Sequence, residues 1–201
     1  DPIHKRFDSL TGKKLGDINS VEIENLVNSI DFVENAEVYS TLTGVLKVKA
    51  SQRVPVLRIV NNFGQHYYID RNGRLFPARS GFSTRILVAN GHIGTRYSDT
   101  VKIDEIDSGH ELFKLKKLAQ HIINDDFLRA QIEQIYVNNE EEYELVPKVG
   151  RQIILFGDIT SMESKFENLK IFYKKGMKRA GWQAYKTINL KYENQVVCEK
   201  K

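Results

Sequence analysis

Phe32-Val33-Glu34-Asn35-Ala36-Glu37-Val38 runs on to Leu46-Lys47-Val48-Lys49, and Arg53-Val54-Pro55-Val56 runs on to Tyr68-Ile69-Asp70-Arg71-Asn72-Gly73-Arg74-Leu75-Phe76. From Val33 the apolar period is two: Ala36 and Val38 alternate with Glu37 and Tyr39, while Leu46, Val48 and Ala50 alternate with Lys47, Lys49 and Ser51. That is the pattern of half-buried strands, joined here at Thr43-Gly44. Upstream, Asn19 and Glu22 have capping-box spacing ahead of the apolar stripe Ile23, Leu26, Val27 and Ile30, which predicts a helix. Asp1-Pro2 with Ile3, Phe7 and Leu10 predicts a shorter helix before it, ended by Gly12 and Gly16. Pro55 has no N–H to give to a ladder, so residues 53–60 are expected as an edge strand or a crossing between domains. The boundary is placed near Val60, giving domains 1–60 and 61–201. Asn72-Gly73 then signals a fresh hairpin, since both residues tolerate the positive φ of a tight turn.

Beyond it, Ile86-Leu87-Val88-Ala89 reads as a buried strand ending at Asn90-Gly91. Ser108 and Glu111 form a capping box before Leu112, Leu115, Leu118, Ala119, Ile122 and Ile123, the clearest amphipathic helix of the chain. Strands are expected at residues 132–137, 143–146 and 153–156, then a helix opened by Thr160 and Glu163 and running out over residues 176–181. Residues 185–197 read as one closing strand, Ile188, Leu190 and Tyr192 facing inward and Thr187, Asn189 and Lys191 outward. The fold class is α+β: a small helix-helix-strand-strand module followed by a larger mixed β domain with two helices.

A chain of 201 residues can bury a substantial core, and no stretch reaches the roughly 20 apolar residues of a membrane-spanning helix. It opens on Asp1 rather than Met, as expected of a fragment that has lost a targeting or anchoring segment. The net charge of +4, from 30 basic and 26 acidic residues, gives no support to nucleic-acid binding, and the lone Cys198 excludes an internal disulfide. His110-Glu111 begins like a zinc-protease helix, but Lys114 stands where the second histidine belongs. Asp104, Glu105 and Asp107 read as a solvated cluster and Glu140-Glu141-Glu142 as a hairpin tip. No nucleophile elbow and no phosphate loop is present. No catalytic residue, cofactor or metal is therefore expected. The basic run at residues 114–117 reads as a solvated helix face, that at 174–179 as a complement to a helix C-terminus, and Trp182 as a core or hinge anchor.

This order of elements resembles the FtsQ/DivIB family of bacterial cell-division proteins over nearly the whole chain, in a pattern closest to that of Bacteroidetes-type bacteria. The extracytoplasmic part of that family is a small POTRA module followed by a larger β domain. POTRA order is strand, helix, helix, strand, strand, so the resemblance implies that the first strand is missing and a sheet edge is left unpaired. It further implies a non-enzymatic divisome scaffold at the periplasmic face of the inner membrane, at the septum. The anchor would be one transmembrane helix that this fragment lacks, and the role would be to link early and late division proteins. In the family, the small coiled-coil proteins FtsB and FtsL dock on the last strands of the β domain by adding a strand. Residues 188–197 match that closing segment, which implies contacts at Lys191, Tyr192, Asn194, Gln195, Val196 and Val197. Further division proteins would meet the POTRA module, with the hairpin of residues 38–48 as the candidate face. Phe32-Val33 with Thr43-Gly44 replaces the Trp or aromatic-Val and Pro-containing turn common in relatives, and Gln52-Arg53 stands where Glu-Arg is frequent.

Two other readings are distinguishable. An enzyme with a non-motif site in the β domain would show convergent titratable side chains in a deep pocket. A nucleic-acid binder would merge the two basic runs into one stripe with interleaved aromatics.

Overall fold

The computed structural model describes residues 12, 14–78, 86–181 and 184–201; the expected first helix and Trp182 lie outside them. Contacts divide the chain into two compact units, Asp1–Val54 and Pro55–Lys201.

In the first unit helix α1 (Ser20–Asn28) starts where the sequence placed it, Asn19 accepting the Glu22 N–H at 3.3 Å. Its apolar side chains Ile23 and Val27 lie one turn apart and pack on Ala36 and Val38. Those two belong to β1 (Val33–Ser40), which pairs antiparallel with β2 (Leu46–Gln52). Buried Arg53 closes the base of the hairpin: its N–H donates to the Phe32 carbonyl at 2.7 Å and its guanidinium to the carbonyls of Asp31 and Val33 at 3.1 and 2.7 Å. Such a fork satisfies carbonyls that the departing chain would otherwise leave bare.

The second unit is built on one nine-stranded mixed sheet, in the order β11-β10-β9-β8-β7-β6-β3-β4-β5. Its strands are β3 (Pro55–Val60), β4 (His66–Asp70), β5 (Leu75–Pro77), β6 (Leu87–Gly91), β7 (Ile132–Val137), β8 (Tyr143–Pro147), β9 (Ile153–Gly157), β10 (Tyr185–Asn189) and β11 (Val197–Lys200). The pairs β3/β6, β6/β7 and β9/β10 are parallel and the rest antiparallel. The expectation for residues 53–60 is overturned: β3 is an interior strand between β4 and β6. Pro55 is tolerated because it is the first residue of the strand, ahead of the ladder to β6 that opens at Leu57.

Helices α2 (Glu111–Asn124), α3 (Asp126–Gln131) and α4 (Met162–Ala180) belong to this unit, one more than expected. The short α3 follows directly on α2 because Asp125 caps it, accepting the Leu128 N–H at 2.9 Å. The expected caps of the longer helices do not form, and only α2 gains another. His110 Nδ1 accepts the Leu112 N–H at 3.1 Å, and Glu111 instead holds the Gly94 N–H and, by very short bonds, the N–H and hydroxyl of Thr95. Helix α4 opens at Ser161, in the left-handed region at φ 52°, while Thr160 bonds Asp158.

Strand alternation sorts the sheet into two faces. Leu57, Ile59, Ala89, Ile135, Leu145, Ile154 and Ile188 share the face covered by α2 and α4, where the rings of Phe156 and Phe166 meet at 4.8 Å and His121 stacks on Phe166. Tyr136, Glu144, Leu155, Asn189 and Val197 form one row of the opposite face, and all five are half-buried or exposed.

A candidate strand-accepting edge

The closing segment is a hairpin and not one strand. β10 pairs with β9 on one side and with β11 on the other, so the border proposed for residues 188–197 is already occupied by the chain's own backbone. The turn is built without glycine or proline. Asn189 Oδ1 accepts the Lys191 N–H at 2.9 Å, the Leu190 N–H reaches back to the Leu155 carbonyl at 2.9 Å, and Asn194 adopts φ 57°. Asparagine is the side-chain-bearing residue most at ease there. Val197 then starts the return, opposite Asn189.

The outer side of β11 is where the sheet ends. The Lys201 N–H points inward, to the Ala184 carbonyl at 3.2 Å. Alternation along an extended strand therefore turns the N–H and C=O of Cys198 and Lys200 outward. Among the described residues no strand pairs with that side. Side chains alternate as well: Val196 and Cys198 pack against the core, while Val197 is 43 % exposed and Glu199 faces out. Burial pushes the Cys198 thiol above its ordinary pKa, which disfavours the reactive thiolate. Glu199 accepts from Lys186 at 3.2 Å, an exposed pair worth little.

Of the six residues singled out from the sequence, only Val197 lies on the edge strand, and Val196 immediately precedes it. Lys191, Tyr192, Asn194 and Gln195 sit in the connecting loop. Tyr192, expected in the core, is 52 % exposed because the strand ends three residues before it. Lys191 is tied to Glu142 of the β7–β8 turn at 2.8 Å, and that bonded carboxylate raises its pKa above the usual lysine value. Cys198, Glu199 and Lys200, which complete β11, lie beyond the closing strand read from the sequence. The period of two in Val196-Val197-Cys198-Glu199 was their signal, hidden because the run was joined to β10.

The other end of the sheet is different in kind. β5 has three residues, and the Ala78 N–H donates inward to the His66 carbonyl, so the outward nitrogens are those of Leu75 and Pro77, and the second carries no hydrogen. Arg74 bridges Lys102 and the Ile103 N–H donates to the Gly73 carbonyl at 2.8 Å, laying chain beside this edge. Gly73 takes φ 73°, and a Cβ there would lie 2.9 Å from Lys116 Nζ. Lys116 corrects the reading of residues 114–117 as a solvated face: it is 6 % exposed, paired with Asp104 at 2.5 Å.

A cavity of about 1040 Å³ opens at the N-terminal ends of β3, β6 and β7. Among the described residues its charged wall groups are Arg71, Arg129, Glu133 and Lys148, and the lining holds no hydroxyl, thiol or imidazole. Among the described residues no cluster of potential metal ligands occurs.

Residues 54–199, nearly the whole second unit, match the family described as FtsQ/DivIB, C-terminal related. The chain belongs to the FtsQ/DivIB family. Residues 2–51 match a POTRA-like domain, so both parts of the family's extracytoplasmic architecture are present, in the expected order. No curated protein matches the chain significantly. FtsQ/DivIB proteins are non-enzymatic cell-division proteins anchored in the membrane at the division site. Among the described residues of this chain no helix is long and apolar enough to cross a membrane.

Proposed function

We propose that this FtsQ/DivIB chain is a divisome scaffold at the periplasmic face of the inner membrane, recruiting FtsB/FtsL-type coiled-coil partners by strand addition to β11. The supporting observation is the outer side of β11, which turns the N–H and C=O groups of Cys198 and Lys200 outward beside an exposed Val197. Magnitudes decide what else must take part. Two outward residues give about four backbone hydrogen bonds, together roughly 2–6 kcal/mol, whereas a micromolar complex needs about 8 kcal/mol. The remainder has to come from apolar burial, roughly 100–250 Å² at about 25 cal/mol per Å² before the cost of association is counted. Val197, Leu155 and Ile153 share the open sheet face next to this edge and supply such surface. A second contact face is proposed on the β1–β2 hairpin, for further division proteins.

The test is capture of a cognate FtsB/FtsL-type protein by the full chain and by Lys200→Pro. Proline removes one outward donor from an exposed position while leaving the inward ladder of Glu199 and Lys201 in place. Capture weaker by roughly two- to twelvefold is expected, the loss of one hydrogen bond; unchanged capture would refute strand addition at β11.

A further inference from the structure

The edge of β1 is also an outer strand, and it is treated in another way. The register Val38↔Val48, Ala36↔Ala50 and Ser40↔Leu46 alternates with Glu37↔Lys49 and Tyr39↔Lys47. The N–H groups of Ala36 and Val38 do not go to β2. Asn28 Oδ1 accepts that of Ala36 at 2.8 Å, and a Glu24 carboxylate oxygen accepts that of Val38 at 3.1 Å. Glu24 and Asn28 are four apart on α1, a rise of about 6 Å, and Ala36 and Val38 are two apart on a strand, about 6.6 Å. The helix runs antiparallel to the strand, so one helical turn presents two acceptors in step with two consecutive outward amides.

We infer that Glu24 and Asn28 are edge guards, which occupy the outward amides of β1 and so prevent a second copy of this chain from pairing there. The strand is suited to such pairing. Set antiparallel to itself about Val38, it would place Ala36 opposite Ser40 and Glu37 opposite Tyr39, with outward amides in register and no like charges facing. Edge strands with free donors are templates for another chain, and natural proteins blunt them with short strands, prolines, charges or covering elements. Here the covering element is a pair of acceptors on a helix that the unit needs in any case for Ile23 and Val27. This inference concerns the POTRA-like unit alone and does not depend on β11.

The experiment uses the full chain with Glu24→Ala/Asn28→Ala, followed by sedimentation and by amide hydrogen exchange. Exchange at Ala36 and Val38 is expected to quicken at least tenfold in dilute solution, with Glu37 and Tyr39, whose amides face β2, unchanged. As concentration rises the variant should dimerise and regain protection at Ala36 and Val38, while Glu24→Gln, which keeps an acceptor, stays monomeric. A folded double variant that remains monomeric at concentrations where the edge amides are unprotected would overturn the inference. If the double substitution unfolds the unit, Asn28→Ala alone is read at Ala36: faster exchange with regained protection on association supports the guard, and unaltered exchange overturns it.

Discussion

The two borders of the nine-stranded sheet end the same hydrogen-bonded array in opposite ways. At β5 the strand is three residues long, one of its two outward nitrogens is that of Pro77, and residues 102–103 lie alongside the other at Leu75, held by the Lys116–Asp104 pair and the close approach at Gly73. At β11 the outward positions are Cys198 and Lys200, both with N–H groups, and a side chain that could shield them is exposed or turned toward the core. A protein that protected itself against all strand pairing would close both. Among the described residues one border is closed and no strand lies on the outer side of the other, and the proposed docking at β11 rests on that difference.

Four substitutions probe this contrast, in descending order of expected effect on stability. Ile188→Ala removes a fully buried side chain beneath β10, the strand that carries β11, and should cost about 2–5 kcal/mol in denaturant unfolding. Deleting residues 185–201 would do more damage for the same reason, so it cannot separate docking from folding. Gly73→Ala at the closed border forces an alanine into φ 73° and against Lys116 Nζ, with an expected cost of about 1–3 kcal/mol; if residues 102–103 shield β5, exchange at the Leu75 amide should rise with it. Lys200→Pro should change stability by less than about 1 kcal/mol, because its own N–H lies outside the ladder, while weakening partner capture. Lys191→Met frees the loop before β11 from Glu142. The raised pKa of Lys191 means that the folded state holds its proton more tightly than the unfolded one. The contribution is thus complete below the ordinary lysine value near 10.5 and lost as pH climbs through the higher folded one. Wild type and variant should differ at pH 8 and converge in strong alkali, by melting temperature; a constant difference would remove the ion pair from the account.

Much of this was legible in the residues. Asn72-Gly73 forms its hairpin, the period of two gives β1 and β2, and Asn19 caps α1. What escaped was set by contacts remote in sequence. The cap Ser108–Glu111 has the right spacing, but Glu111 is claimed by Gly94 and Thr95 from another loop, and His110 takes over. Lys116 sits in a basic run and is buried only because Asp104 and the Gly73 turn converge on it. Residues 185–197 read as one strand because their alternation does not break where Asn189 and Asn194 turn the chain. The edge proposed for docking therefore lies a few residues C-terminal to the segment read from the sequence, whose own border is taken by β11.

Amide hydrogen exchange along β11, with and without a cognate FtsB/FtsL-type partner, tests the central claim most directly. Cys198 and Lys200 should exchange freely in the isolated chain and become protected on binding, with Glu199 and Lys201 protected in both states. Binding that leaves Cys198 and Lys200 as exposed as before would contradict the account.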